Sequence, residues 1–230
     1  MGRHVPRGIV IVAGGDGNVH PAPSSSPSFP LHRRSHSEYN PSAMSSTFER
    51  EVKLRFDSVE AARAAIERAE ATPVRSRRLQ DDYMLDDRQE TLRQRRCVLR
   101  VRIESGRSLL TFKGPVQSSV MKLREEIETV VGDGETLLKV FEHLGYRVWF
   151  RYQKYREEYA LHDVVIAIDE TPVGVFVEIE GGEQGIVDSA EALGRGPSDY
   201  LLDSYRGIFM EHRRAHGLPA TDMLFEDDGA

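Results

Sequence analysis

Carboxylates recur in pairs two residues apart along this chain: Glu49 and Glu51, Glu126 and Glu128, Glu178 and Glu180. Cationic pairs share the spacing, at Arg100 with Arg102 and at Lys154 with Arg156. Lys53, Arg55, Lys113, Arg124 and Asp169 occupy further charged positions in the same kind of context. Grouped carboxylates supply the hard oxygen ligands that Mg²⁺ or Mn²⁺ takes. Arginine and lysine supply donors for phosphate oxygens, and one guanidinium can grip two oxygens at once. Acids and bases on facing walls therefore fit a metal–polyphosphate complex, in which the ion bridges phosphate oxygens and the bases neutralise charge that develops on transfer. A solvated surface could carry the same residues, so their placement decides between the two.

A spacing of two puts side chains on one face of a β-strand. In "FEREVKLRF" (48–56), Glu49, Glu51, Lys53 and Arg55 share one face, while Phe48, Arg50, Val52, Leu54 and Phe56 take the other. The pattern returns in "CVLRVRIES", "LREEIE", "YQKYRE" and "VFVEIE". Further strands are expected near 78–86, 97–104, 108–113, 121–130, 147–159, 163–169 and 174–180. A helix is expected over 57–71, with an Asp57/Ser58 cap signal and Pro73 closing it, and another over 133–145, capped by Asp133 with Gly145 at its end. After residue 182 the period turns helical, predicting a C-terminal pair over 183–194 and 198–217, the second capped by Ser198 and stopped by Gly217 and Pro219. About eight strands with few helices predict an antiparallel barrel or sandwich. A polar outer face is ordinary for such sheets. Two features favour an enclosed one instead: the pattern repeats on five strands, and acids and bases are sorted by strand, which leaves like charges in need of an opposing row. Closing the sheet with its apolar face outward would gather roughly eight carboxylates and eight bases in one lumen.

The 230 residues, 39% hydrophobic, suffice for one domain with a sizeable core plus tails. A net charge of −6 argues against a general nucleic-acid binder, so Arg75, Arg77, Arg78, Arg93, Arg95 and Arg96 read as solvated or as attractors for an anionic substrate. The single Cys97 cannot form an internal disulfide, which suits a reducing cytoplasm. No apolar run reaches the roughly 20 residues of a membrane helix. Residues 1–45, crowded with Ser, Pro, Gly, His and Arg, read as disordered, with Met44 as an alternative start. The "GGDG" within them lacks the helix and lysine of a phosphate loop. Residues 218–230 read as a flexible acidic tail. His143, His162 and His212 show no ligand spacing and read as surface groups, and Trp149 as core or rim.

From about residue 48 to 210 the chain resembles the CYTH superfamily, the triphosphate tunnel metalloenzymes. "EREVK" (49–53) matches the family's Glu-x-Glu-x-Lys signature, and "LRVR", "LTFKGP", "REEIE", "KYR", "IDE" and "VGVFVEIEG" follow in family order. "QDDYMLDD" (80–87) is similar to the Asp-x-Tyr-Phe-Asp segment but carries its aromatic one place early, at Tyr83, which puts the roles of Asp82 and Asp86 in doubt. The resemblance implies an α+β fold: an eight-stranded antiparallel barrel forming a tunnel over residues 46–217, with flanking helices and a C-terminal helical pair. It implies Glu49, Glu51, Glu178 and Glu180 as ligands of Mg²⁺ or Mn²⁺, with Glu126 and Glu128 on the same wall. Lys53, Arg55, Arg100, Arg102, Lys113, Arg124, Lys154 and Arg156 would grip a triphosphate. Lys53 and Asp169 would carry catalytic roles, Asp169 by supporting the metals or orienting water. The implied partner is a triphosphate-containing small molecule, with no nucleic acid or membrane, and the family often forms dimers. Hydrolysis of the triphosphate is the leading expectation. Cyclisation of ATP to cyclic AMP and a non-catalytic polyphosphate sensor are the alternatives.

Overall fold

The computed structural model describes residues 48–226. The expected disordered segment 1–45, its GGDG and Met44 lie outside the described residues. Eight strands close into an antiparallel barrel: β1 (Phe48–Phe56), β2 (Thr72–Asp87), β3 (Val98–Glu104), β4 (Arg107–Lys113), β5 (Lys122–Val131), β6 (Tyr146–Leu161), β7 (Val164–Thr171) and β8 (Gly174–Glu180). Their order around the barrel is β1-β5-β4-β3-β2-β6-β7-β8. Among the described residues five α-helices accompany them: α1 (Val59–Arg68), α2 (Thr91–Gln94), α3 (Gly134–His143), α4 (Glu183–Ala192) and α5 (Tyr205–Ala215). Of the two architectures that the strand pattern allowed, the closed barrel is the one formed.

The main core lies outside the barrel. Val52, Leu54 and Phe56 of β1, Val177 and Ile179 of β8, and Ile166 and Ile168 of β7 point outward and pack against Ala62, Ala65 and Ile66 of α1 and Ile186 and Ala190 of α4. Alternation requires that the charged positions of the same strands point inward. Local signals place the helices. Ser58 accepts the Ala61 amide at 3.1 Å, and Asp133 accepts the Thr136 amide at 3.0 Å, as N-caps should. Gly145 follows α3 with φ +89°, a backbone only glycine adopts freely.

Three elements depart from expectation. β2 begins at Thr72, so Pro73 lies in a strand; register shifts flank Arg75, and such irregularities are where a residue without an N–H is tolerated. The second C-terminal helix begins at Tyr205 with Ser204 as its cap, not at Ser198. The preceding residues are drawn elsewhere: Pro197–Asp199 form a single 3₁₀ turn, and the Leu201 amide donates to the Lys53 carbonyl at 2.8 Å. Finally, the chain after residue 218 is not a free tail as far as 225. Met223 is fully buried and exchanges backbone hydrogen bonds with Arg151 and Gln153, and Phe225 meets Tyr155 at 5.0 Å. β7 pairs with β6 only from Tyr155 onward, so this strap covers β6 backbone that β7 leaves open.

Candidate active site

The inward faces enclose a cavity of about 320 Å³ lined by ten lysine or arginine and seven glutamate side chains. This cationic surplus inside a chain of net charge −6 gives the lumen a local sign opposite to the whole. The charge is sorted around the barrel. β5, β1 and β8 are neighbours and bring Glu126, Glu49, Glu51, Glu178 and Glu180, while β3 and β6, on either side of β2 across the barrel, bring Arg100, Arg102, Lys154 and Arg156.

On the acidic side each glutamate but one is turned to a cation. Lys113 Nζ donates to both Glu49 oxygens at 2.7 and 2.6 Å and lies 3.0 Å from Glu126. Lys122 contacts Glu51 closely, and Lys53 Nζ sits 2.7 Å from Glu178 and 3.9 Å from Glu51. Burial and the Glu178 charge would raise the Glu51 carboxyl, but Lys53, Lys122 and Lys113 together hold it down at about 2. Burial opposes the Lys53 charge as well, yet Glu178 and Glu51 raise its affinity for the proton. Glu49 behaves differently: burial first, with Glu51 and Glu126 behind it, pushes its carboxyl up to about 8 against the pull of Lys113. Glu180 makes no hydrogen bond or ion pair among the described residues. Its side chain opens into the lumen, but the surrounding protein wall, ahead of Glu126 and Glu51, pushes it up to about 7. Glu49 and Glu180 thus mark a local excess of negative charge, and an all-carboxylate donor set of this kind fits a hard divalent cation. No three carboxylates among the described residues converge on one ligating point, because the lysines hold them apart.

The basic side is braced by two fully buried aspartates. Asp82 accepts Arg102 Nε at 2.8 Å and Nη2 at 3.2 Å, and lies 3.4 Å from Arg100 Nε. Asp169 accepts Lys154 Nζ at 2.8 Å, Arg156 Nε at 2.6 Å and the Tyr205 hydroxyl at 2.5 Å. Arg156 also contacts Glu178. Burial, then the Arg156 charge, lowers Lys154 to about 8 even with Asp169 and Glu178 beside it. Arg124 stands apart. Its Nε donates to the Gly114 carbonyl at 3.0 Å, its buried Nη2 has no partner, and no carboxylate lies within ion-pair distance of it among the described residues. Burial accordingly lowers its affinity for the proton.

The lumen therefore gathers Glu49, Glu51, Lys53, Arg100, Arg102, Lys113, Arg124, Glu126, Glu128, Lys154, Arg156, Glu178 and Glu180. Glu128 is the loosest, accepting Thr111 Oγ1 at 2.8 Å with Arg100 at 3.5 Å. Two expectations fail on placement. Arg55 is exposed and lies over the outer side of the Phe176 ring at 4.7 Å; Phe176, fully buried against Tyr205, bars it from the cavity. Asp169 does not line the cavity; it sits behind Lys154 and Arg156 and holds them, so it positions cations rather than touching a ligand. Arg75 and Arg78, expected to be solvated or to attract an anionic substrate, are tied to Glu104 at 2.6 and 3.1 Å, and Arg75 also lines the cavity.

Several site residues escaped the sequence reading. Lys122 was legible by extending the Arg124–Glu126–Glu128 alternation back one step. Asp82 becomes meaningful only through the β2–β3 register that sets it opposite Arg102. Asp86, its doubtful companion, accepts the Leu92 and Arg93 amides at 3.0 Å and so anchors the start of α2. Tyr205 comes from a helix, where no strand alternation announces an inward side chain.

A closed antiparallel barrel with a salt-bridged, net cationic lumen defines the class. Residues 47–193 match the CYTH domain, and the chain belongs to that family. A Methanocaldococcus jannaschii protein provisionally named an adenylate cyclase is 30% identical over 118 residues, 51% of this chain and 67% of its own length. A Vibrio parahaemolyticus structure with the same provisional name superposes with a TM-score of 0.63 at 22% identity, covering 71% of this chain and 98% of that one. A Hippeastrum protein, provisionally named an adenylyl cyclase and described as having a dominant triphosphatase activity, superposes with a TM-score of 0.54 at 17% identity, covering 71% and 96%. The last two likenesses speak for the fold. No helix among the described residues is long and apolar enough to cross a membrane.

Proposed function

We propose that this barrel binds the triphosphate of a small molecule together with Mg²⁺ or Mn²⁺ and hydrolyses a phosphoanhydride bond. The observation that carries the reading is Arg124, a lumenal guanidinium with an unspent buried donor and no carboxylate partner, in a cavity where cations outnumber glutamates. Arg124, Arg100, Lys113 and Lys122 would take phosphate oxygens. Glu49, Glu51, Glu178 and Glu180 would hold the divalent ion, with Glu126 and Glu128 lining the same wall. Bound there, the ion would neutralise phosphate oxygens and polarise a water. Lys53 and Lys154 are almost fully buried, where their charge acts with little screening on a developing anion. With Lys154 lowered to about 8, its Nζ can release a proton to a departing oxygen near neutral pH.

Hydrolysis is favoured over cyclisation by the lining itself. Its apolar side chains are limited to Met84, Val98 and Leu109, and its two tyrosines are occupied: the Tyr205 ring by Lys53 and Lys154, and the buried Tyr152 by a stack on Phe150 at 5.9 Å. That leaves no free aromatic face for a purine. Cyclisation of ATP is the second reading, supported by the name of the Methanocaldococcus relative. The test is to incubate the protein with Mg²⁺ or Mn²⁺ and, separately, tripolyphosphate, thiamine triphosphate and ATP, then measure orthophosphate, pyrophosphate and cyclic AMP, with Glu51→Ala as control. Orthophosphate lost in the control supports hydrolysis. Cyclic AMP with pyrophosphate would establish the second reading, and tight binding without any product would show a sensor.

A further inference from the structure

We propose that Tyr205, delivered by α5 from outside the barrel, is a positioning residue for the two most deeply buried lumenal lysines. The inference rests on the proposed reaction, in which Lys53 and Lys154 face the developing charge. Lys53 Nζ lies 4.5 Å and Lys154 Nζ 4.8 Å from the centre of the Tyr205 ring, so one aromatic ring is shared by two ammonium groups. The same residue's hydroxyl donates to Asp169 Oδ2, the oxygen that also holds Lys154. Lys53 and Lys154 come from β1 and β6, which are not neighbours in the barrel. Glu178 lies 2.7 Å from Lys53 Nζ and 3.9 Å from Lys154 Nζ and offsets part of their repulsion, and the electron-rich ring attracts both and fixes their direction.

The ring is itself fixed. Phe176 meets it edge-on at 5.5 Å, Tyr152 lies at 6.4 Å, and Ser204 caps α5 by accepting the Gly207 amide at 3.1 Å. The strap at Met223 packs into the same buried cluster as Tyr205, Ile208 and Phe209. Lysine placement in the lumen thus depends on docking of the C-terminal helix, a dependence invisible from the barrel strands alone. Lys113, Lys122 and Arg124 make no such contact with this ring, so grip on the phosphates and placement of Lys53 and Lys154 are separable.

The experiment uses the full chain and two variants. In Tyr205→Phe the ring stays and the hydroxyl is lost; in Tyr205→Leu both go. With tripolyphosphate and Mn²⁺, Tyr205→Phe is expected to lower kcat about tenfold and Tyr205→Leu about a hundredfold, with KM within about twofold, the scale on which groups that orient a site act. An unchanged kcat in Tyr205→Leu, or a loss expressed in KM alone, would overturn the proposal. A spectroscopic readout keeps it testable without turnover. In protein ¹³C-labelled at lysine, ring current should displace the Lys53 and Lys154 Hε resonances, assigned with Lys53→Arg and Lys154→Arg. The displacement should persist in Tyr205→Phe and vanish in Tyr205→Leu; undisplaced lysine resonances in the unsubstituted protein refute the inference. Should Tyr205→Leu fail to fold, the Tyr205→Phe kinetics and the resonances of the unsubstituted protein decide. Displaced resonances in a protein that turns over none of the triphosphates would refute the hydrolytic reading while leaving the lysine placement standing.

Discussion

Asp82→Ala tests whether the basic wall is held by its buried counter-charge. Asp82 is fully buried and faces two guanidiniums, Arg102 at 2.8 Å and Arg100 at 3.4 Å. Burial would favour its neutral form, but Arg102 and Arg100 overcome it and lower the carboxyl, so it is ionised at neutral pH. Removing it leaves the buried Arg102 without a carboxylate and Arg100 with only Glu128 at 3.5 Å. Breaking a buried pair from one side costs about 3–5 kcal/mol, because the surviving charge keeps its desolvation penalty without its partner. Against a usual domain stability of about 5–15 kcal/mol, the variant should fold but with a much lower urea midpoint. Two further results discriminate this cause from lost packing. Tripolyphosphate should stabilise the variant more than the unsubstituted protein, since Arg102 loses its carboxylate and Arg100 keeps only Glu128 at 3.5 Å; saturation at 100 times Kd is worth about 2.7 kcal/mol. Asp82→Leu combined with Arg102→Met should recover at least half of the loss, as apolar replacements of buried ion pairs often do. A loss below about 1 kcal/mol, with no added response to tripolyphosphate, would refute the reasoning.

Arg124→Ala removes the unpaired donor and should raise KM for tripolyphosphate about 10- to 100-fold with kcat within about threefold, since hydrogen bonds to charged groups are worth about 1.5–3 kcal/mol; an unchanged KM in steady-state phosphate release would contradict it. Glu104 supplies a pH test away from the glutamates assigned to metal. Burial raises its carboxyl, but hydrogen bonds from Arg75 and Gln80 and the charge of Arg78 bring it down to about 2. The folded value is depressed, so its stabilisation is complete above the unfolded carboxylate range and lost as pH falls from about 4.5 to 2. Urea midpoints against pH should fall less steeply in that window for Glu104→Gln; parallel curves would show that the pairing contributes nothing. Divalent cation and tripolyphosphate should bind cooperatively, the Kd for one falling as the other is added, and calorimetric titrations giving independent constants would rule this out.

The barrel was legible because its strands carry an inverted pattern. Val52, Leu54 and Phe56 alternate with Glu51 and Lys53, and five such strands cannot all turn charge to solvent while sorting acids from bases. What alternation cannot encode is register. Asp82 faces Arg102 through the register of the consecutive strands β2 and β3, and Lys53 faces Glu178 through the pairing of β1 with β8, the first and last strands of the barrel. Arg55 shows the other limit. It keeps the inward phase of Glu49, Glu51 and Lys53, yet Phe176 and a tyrosine from a remote helix fill the barrel before the strand ends. The tail misled for a similar reason. "LPATDMLFE" has the composition of a frayed end, but one methionine with a buried pocket and two backbone hydrogen bonds on β6 suffices to hold it.

The pairing inside the lumen constrains how any ligand enters. Apart from Arg124 and the exposed Arg107, every lining cation already faces a carboxylate. An arriving polyanion must therefore displace glutamates from lysines, not fill an empty cationic pocket. Displacing Glu49 from Lys113 frees a carboxylate that already sits at about 8 and stands with Glu51 and Glu126 against it. The freed group needs a proton or a cation in exchange. A divalent ion answers that need for several glutamates at once, and it lowers the cost of releasing the lysines to the anion. The two ligands are linked through the same side chains, and such linkage is reciprocal: each must strengthen the other by the same factor. On the proposed reading the carboxylates would be more than a metal cage. They pair with the lumenal lysines, and on that reading they would become ligands only when the anion takes the lysines from them.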